Sequence, residues 1–172
     1  MAGQTRHAIA RALGGAVVRT MPNTPAAIGR GITVAIAADN VTNRQRALTD
    51  QLLAATGALA WIEDESLMDA VTAVSGSGPA YVFLLAEELA RAGVKAGLPP
   101  ALAAQLARDT VSGAGELLHR SDVEAATLRQ NVTSPGGTTA AALAVLIAND
   151  GLGALMTRAV DAATKRSREL GK

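Results

Sequence analysis

The 172-residue sequence has no cysteine and only two histidines, His7 and His119. Without thiols there is neither a disulfide framework nor a thiol nucleophile, and two imidazoles do not make a ligand cluster for a transition metal. Aromatic residues are almost as scarce: Trp61, Tyr81 and Phe83 make up 2% of the chain. The 49% hydrophobic content is therefore carried by Ala, Leu, Val and Ile, a composition that favours closely packed helices of small residues. Charge of one sign is also lacking, since 16 basic and 15 acidic residues leave a formal net charge of +1. With no basic stripe and no aromatic platform, nucleic acid is excluded as a partner. No apolar run approaches the roughly 20 residues that span a bilayer, and the N-terminus lacks the basic-then-apolar layout of a signal peptide. These absences predict a soluble, cytoplasmic protein with no membrane partner.

A further absence concerns cofactors. Gly29-Arg30-Gly31, Gly76-Ser77-Gly78, Gly113-Ala114-Gly115 and Gly151-Leu152-Gly153 all stop at two glycines, so the Gly-x-Gly-x-x-Gly loop that cradles a dinucleotide pyrophosphate does not occur. No Ser-His-Asp arrangement is arguable from His7 and His119, which sit in helix-like contexts. Glu87-Glu88 reads as a solvated helix face, and hydrolysis has little support.

What is present divides at Asp64. Ala16 to Met21, Ile32 to Ala37 and Ala58 to Glu63 are β-rich and Val41 to Ala55 is helical, the alternation of an α/β sheet. Three strands are few for a doubly wound sheet, and a face or edge is expected to lie uncovered. From Ser66 onward the pattern is all-helical. Ser66 with Asp69 resembles a capping box, and Leu67, Ala70, Val71 and Val74 follow helical spacing. Pro79 predicts a kink or two consecutive helices ending near Pro99 and Pro100. Helices are then expected over Ala101 to Leu118, Ser121 to Gln130 (with Ser121 and Glu124 as a second capping box), Pro135 to Ala148 and Leu152 to Glu169. The domains expected are 1–64, α/β, and 65–172, all-helical.

Three segments carry candidate chemistry. In Asn131 to Thr139, Ser134 suits an N-cap and Pro135 the first helical position, which would leave the amides of Gly136, Gly137 and Thr138 open to a carboxylate or phosphate. The hydroxyls of Ser134, Thr138 and Thr139 add donors; an ordinary loop and helix start is the competing reading. In Ser75 to Tyr81, small residues allow a close helix crossing or subunit contact, or an opened helix that admits a ligand. In Met21 to Pro25, Asn23 and Thr24 lie between two prolines at the end of a strand, a stiff loop or a ligand loop.

Taken together, Met-Pro-Asn-Thr-Pro, the run Asp69 to Tyr81, Gly-Val-Lys-Ala-Gly-Leu-Pro (Gly93 to Pro99) and Asn-Val-Thr-Ser-Pro-Gly-Gly-Thr-Thr resemble pyrroline-5-carboxylate reductase, in order and spacing, from about residue 10 onward. The resemblance implies a mainly α fold, a helical dimerisation domain of the 6-phosphogluconate-dehydrogenase C-terminal-like type preceded by a partial α/β Rossmann remnant. It implies reduction of 1-pyrroline-5-carboxylate to L-proline with NADPH or NADH, and a homodimer that can build into a decamer. It implies that Ser134, Gly136, Gly137, Thr138 and Thr139 hold the substrate carboxylate and that the Thr139 hydroxyl meets the ring nitrogen. Asp122 matches an acidic position near the substrate. Asn23, Thr24, Glu65 and Asn131 match cofactor-contacting positions, and no metal is implied. Most of the family's nucleotide-binding half has no counterpart, so the expectation is a shortened chain that binds nicotinamide cofactor weakly or not at all. A non-catalytic oligomerisation module derived from the enzyme is the alternative. A hydroxy-acid dehydrogenase is disfavoured by the Ser-Pro-Gly-Gly-Thr-Thr loop.

Overall fold

A computed structural model describes Ile9, Arg11 and residues 14–171; His7 lies outside the described residues. By compactness the chain forms two units, one made of the described residues through Pro79 together with those from Arg158 onward, the other Ala80–Thr157.

The first unit holds a three-stranded sheet in the order β1 (Val18–Met21), β2 (Gly31–Ala37), β3 (Gly57–Trp61). β1 runs antiparallel to β2 with Met21 opposite Val34, and β3 runs parallel to β2 with Gly31 opposite Gly57. That first parallel pair requires glycine at position 57. Gly57 has a φ of +127°, and a Cβ there would overlap the Gly31 carbonyl oxygen. On β2 the run Thr33, Val34, Ala35 and Ile36 is buried on both faces, as in a strand covered from two sides. The expected uncovered surface is therefore confined to other positions, among them Ile32 and the loop residue Ile28.

Helix α1 (Asn43–Leu53) begins on a complete capping box: Thr42 Oγ1 accepts from the Gln45 amide at 3.3 Å and Gln45 Oε1 accepts from the Thr42 amide at 2.8 Å. Two side-chain contacts fasten it to β3. Trp61 Nε1 donates to Asp50 Oδ1 at 2.8 Å, and the Arg46 guanidinium lies 4.4 Å from the Trp61 ring centroid while donating to Glu63 Oε1 at 3.0 Å.

The capping box expected from Ser66 and Asp69 does not form. Asp64 caps instead, its carboxylate accepting from the Ser66 amide at 2.8 Å and from the Ser66 hydroxyl at 2.6 Å. The Ser66 oxygen is thereby used as a donor, and Asp69 faces a different partner. The first turns are a 3-10 turn over Glu65–Leu67 and the short helix α2 (Met68–Val71). They run into a π-turn, Thr72–Gly76, marked by the Ser77 amide donating to the Thr72 carbonyl at 2.8 Å. Helix α3 (Gly78–Lys95) follows, so the expected break before Pro79 is a widened turn, with proline at the second residue of the next helix. The C-terminal end of helix α7 (Leu152–Leu170) also belongs to this unit: buried Ser167 donates to Asp69 Oδ1 at 2.6 Å.

The second unit contains the rest of α3, then α4 (Pro100–Arg120), α5 (Ala125–Asn131), α6 (Thr138–Leu146) and the start of α7. Gly93 allows α3 to approach α4, since a Cβ there would stand 3.3 Å from the Ala103 methyl. Ala103 and Ala107 are the buried apolar residues of this unit among those described. Its larger side chains, including Phe83, Leu85, Leu89, Leu106, Val145 and Leu155, are exposed. The Glu87-Glu88 pair is a solvated face, with both carboxylates bridged by Arg91 at 2.5 Å. His119 and Arg120 occupy the last turn of α4, where positive charge suits the helix dipole. The capping box expected at Ser121 is replaced by a local turn in which the Ser121 hydroxyl accepts from the Val123 amide at 3.1 Å, and α5 starts at Ala125.

Candidate functional site

In the second unit, α5 ends at Asn131 and the chain turns through Ser134-Pro135-Gly136-Gly137 into α6. The Ser134 carbonyl accepts the Gly137 amide at 3.1 Å and Gly136 has a φ of +70°, so these four residues close a β-turn with proline second and glycine third. Helical backbone cannot pass through a positive φ, so Ser134 is not the N-cap and Pro135 not the first helical residue. Gly137 is the N-cap, without a capping side chain, and the helix starts at Thr138. The two glycines serve different ends. Gly136 supplies the backbone conformation, while a Cβ on Gly137 would stand 2.5 Å from Ser134 Oγ.

The donor set moves accordingly. The Gly137 amide is consumed by the turn and the Gly137 carbonyl accepts from Ala141 at 3.2 Å. The amides of Thr138, Thr139 and Ala140 are left without an acceptor inside their helix, at its positive end. Thr139 is half-buried, and Thr138, Ser134 and Asn131 are exposed. Open helix-start amides with hydroxyls beside them are donors of the kind that suit a small anion. Asp122 is exposed on the loop before α5, separated from the turn in sequence by the whole of that helix. The contribution of Ala140 was not read from the sequence, because an alanine shows no polar side chain to count.

In the first unit, Asn23 and Thr24 open a 3-10 turn, Thr24–Ile28, with Pro25 at its start. Asn23 Oδ1 accepts from the Ile32 amide at 3.0 Å, which pins the loop to β2 and leaves its side-chain Nδ2 as the donor side. The rule that ligands bind beyond the carboxyl ends of strands concerns parallel strands. β1 runs against β2 and β3, so the loop lies at their amino ends and that argument does not place it. Glu65 pairs with Arg19 of β1 at 2.9 Å, with side chains only 19% and 10% exposed. Arg19 was missed as a candidate, although a lone cation inside an apolar strand run is a signal that a carboxylate sits nearby. Among the described residues there is no cluster of His, Cys, Asp or Glu able to hold a metal, and no helix is long and apolar enough to cross a membrane.

An antiparallel-edged α/β sheet continued by an all-helical region defines the class: a mainly α protein with a partial Rossmann-type sheet and a helical dimerisation domain. The pattern described as pyrroline-5-carboxylate reductase dimerisation matches residues 65–170, and the chain belongs to the pyrroline-5-carboxylate reductase family. It is 48% identical over 157 residues to the pyrroline-5-carboxylate reductase of Synechocystis, covering 91% of this chain and 58% of that protein. It is 47% identical over 156 residues to that of Pseudomonas aeruginosa, covering 91% and 57%. Its fold is similar to the solved structure of a pyrroline-5-carboxylate reductase from Coxiella burnetii, with a TM-score of 0.92 and 38% identity over 99% of this chain and 63% of that one. A Plasmodium falciparum pyrroline carboxylate reductase solved with NADP bound gives a TM-score of 0.83 at 34% identity, over 99% and 69%. The chain thus spans a little more than half the length of the curated relatives it matches.

Proposed function

We propose that this chain is the substrate-binding and dimerising part of a cytoplasmic pyrroline-5-carboxylate reductase that converts 1-pyrroline-5-carboxylate to L-proline. The observation that carries the proposal is the start of α6, where the amides of Thr138, Thr139 and Ala140 have no acceptor inside the helix and two threonine hydroxyls belong to the same turn. The substrate carboxylate is held by the amides of Thr138, Thr139 and Ala140, with Ser134 and Thr138 contributing hydroxyls and Gly136 and Gly137 shaping the approach. The Thr139 hydroxyl orients the ring nitrogen, and Asp122 is an acidic neighbour of the substrate.

NADPH or NADH, when bound, supplies the hydride. Asn23 through its Nδ2, Thr24, Asn131 and Glu65 are the cofactor-facing residues of this proposal, Glu65 being held in place by Arg19. They suit the nicotinamide end; no glycine-rich loop for the pyrophosphate occurs in the sequence. A protonated cyclic imine is already electrophilic, so orientation and stabilisation of the product nitrogen are what the protein has to provide. The exposed leucines of the second unit support a second copy of the chain as partner, and the decamer is the higher assembly we expect from such dimers.

The anion cradle is tested by titrating the isotopically labelled chain with L-proline and with L-prolinamide, which lacks the carboxylate. Amide shifts centred on Thr138, Thr139 and Ala140 are expected with proline only. An equal response to the two compounds would remove the carboxylate from the argument.

A further inference from the structure

Ahead of α3 the winding of the chain changes from a 3-10 turn (Glu65–Leu67) to the four residues of α2 (Met68–Val71) and then to the π-turn Thr72–Gly76. A π-turn is rare, and the competing conformation is an ordinary α-helical turn. In that narrow form the Ser77 amide would donate to the carbonyl of Ala73, four residues back, instead of to that of Thr72, five back, as it does at 2.8 Å. Narrowing would also suit Ser75, whose Oγ is closed off from solvent and has no partner among the described residues. In a regular helix a serine hydroxyl donates to a carbonyl three or four residues earlier, and a buried hydroxyl left unpaired is destabilising. The wide turn is therefore held from outside the segment.

The holds lie on the upstream side of the turn. Asp69 of α2 accepts from the Ser167 hydroxyl at 2.6 Å, Ser167 being only 4% exposed, and Arg168 Nε stands 3.9 Å from the other oxygen of the same carboxylate. Both partners come from the end of α7, with Ser167 98 residues away in sequence. Further upstream, Glu65 is tied to Arg19 of β1 at 2.9 Å. Narrowing the turn shifts the hydrogen-bond register by one residue, which rotates α2 by about 100° against α3. Carried through that angle, the Asp69 carboxylate leaves the reach of Ser167. A hydrogen bond to an ionised carboxylate is among the stronger ones, so its loss opposes the rotation.

We propose that the Ser167–Asp69 bond is a conformational latch: the end of α7 holds α2 in the phase that requires the wide turn, and release of Asp69 lets the turn narrow and α2 rotate. The device has two states, wide with Asp69 held and Ser75 unpaired, or narrow with Asp69 free and Ser75 paired. Its handle is the C-terminal end of α7, so whatever displaces that end sets the register of the helix at the other.

The test uses the complete 172-residue chain, deuterated and isotopically labelled, and reads which carbonyl accepts the Ser77 amide from the coupling across that hydrogen bond. The Met21 methyl is a second reporter, because a Cβ on Gly76 of the turn would stand 2.7 Å from Met21 Cε. Thr72 is the acceptor expected in wild type. Asp69→Ala and the milder Ser167→Ala are expected to move the acceptor to Ala73, to shift the Met21 methyl resonance and to change the wide-to-narrow ratio by about ten- to a hundredfold, as for one lost hydrogen bond to a charged group. Adding Ser75→Ala to Ser167→Ala removes the hydroxyl that gains from narrowing and should return part of the population to Thr72. The Trp61 indole N–H, bonded to Asp50, shows whether the sheet is intact in each variant, and Ser167→Ala decides if Asp69→Ala does not fold. Thr72 retained as acceptor after release of the latch would overturn the proposal, as would a narrowing that Ser75→Ala leaves untouched. An Ala73 acceptor in wild type would leave no wide turn to hold and would overturn it too.

Discussion

The sheet unit and the helical unit bury apolar surface to different extents, although Ile28, Leu52 and Val74 of the first are exposed as well. In the first, Val17, Val34, Ala35, Ile36, Met68 and Ala73 are buried within one chain. In the second, Ala103 and Ala107 are buried while Phe83 stays 67% and Val145 72% exposed. The contrast teaches that the first region carries a core of its own, whereas the second leaves most of its large apolar side chains at the surface, in the stretch that matches a dimerisation pattern. Leu and Val at helical spacing are read from sequence as inward-facing, but whether "inward" means within a chain or between chains is not encoded in the spacing.

The comparison breaks most severely if the exposed leucines are charged. Leu85→Glu combined with Leu106→Glu should weaken self-association by at least about 1000-fold, since a carboxylate buried unpaired costs several kcal/mol. Sedimentation would show a monomer, and a dimer of wild-type strength would refute the intermolecular core. In the sheet unit, Ile36→Ala should lower unfolding stability by about 2–5 kcal/mol in urea, as expected of a large core truncation, while the association constant of the folded chain stays unchanged. Loss of association in that variant would mean that the two regions are not separable in this way.

A smaller effect is expected at the cradle. In a complete enzyme of the family carrying this segment, assayed for nicotinamide oxidation and proline formation, Thr139→Ala should lower the rate about tenfold or more, corresponding to at least roughly 1.4 kcal/mol of lost orientation. Unaltered turnover would take Thr139 out of the mechanism. The smallest effect belongs to Asp64, whose carboxyl is held below its ordinary value of 3.8 by hydrogen bonds from the Ser66 hydroxyl and amide. Its contribution is present above that value and is lost as pH falls through the lowered one. Asp64→Asn should therefore flatten the acid end of the stability profile and leave its neutral-pH shape intact; an unchanged acid slope would show that the cap does not titrate with folding.

Much of this was legible in the amino acids. The β-rich runs before Asp64 and the helical stripes after Ser66 emerged from periodicity, and the loop at Ser134 with the helix that follows it from turn chemistry. The errors share one cause. Ser66, Ser121 and Ser134 were each assigned as N-caps because serine commonly caps, yet each oxygen or carbonyl found a nearer partner: Asp64, the Val123 amide and the Gly137 amide. Local competition among polar groups is decided by backbone geometry that one-dimensional spacing does not carry. Arg19 with Glu65 and Asp69 with Ser167 were invisible for a different reason, since their partners are separated by 46 and 98 residues.

Trp61 is the chain's single indole, stapled between the Asp50 carboxylate and the Arg46 guanidinium on β3. Excitation at the red edge of aromatic absorption therefore interrogates the sheet and nothing else, while Tyr81 lies in the helical unit. The sheet region therefore carries its own optical label, so its melting can be followed selectively in an unmodified sample.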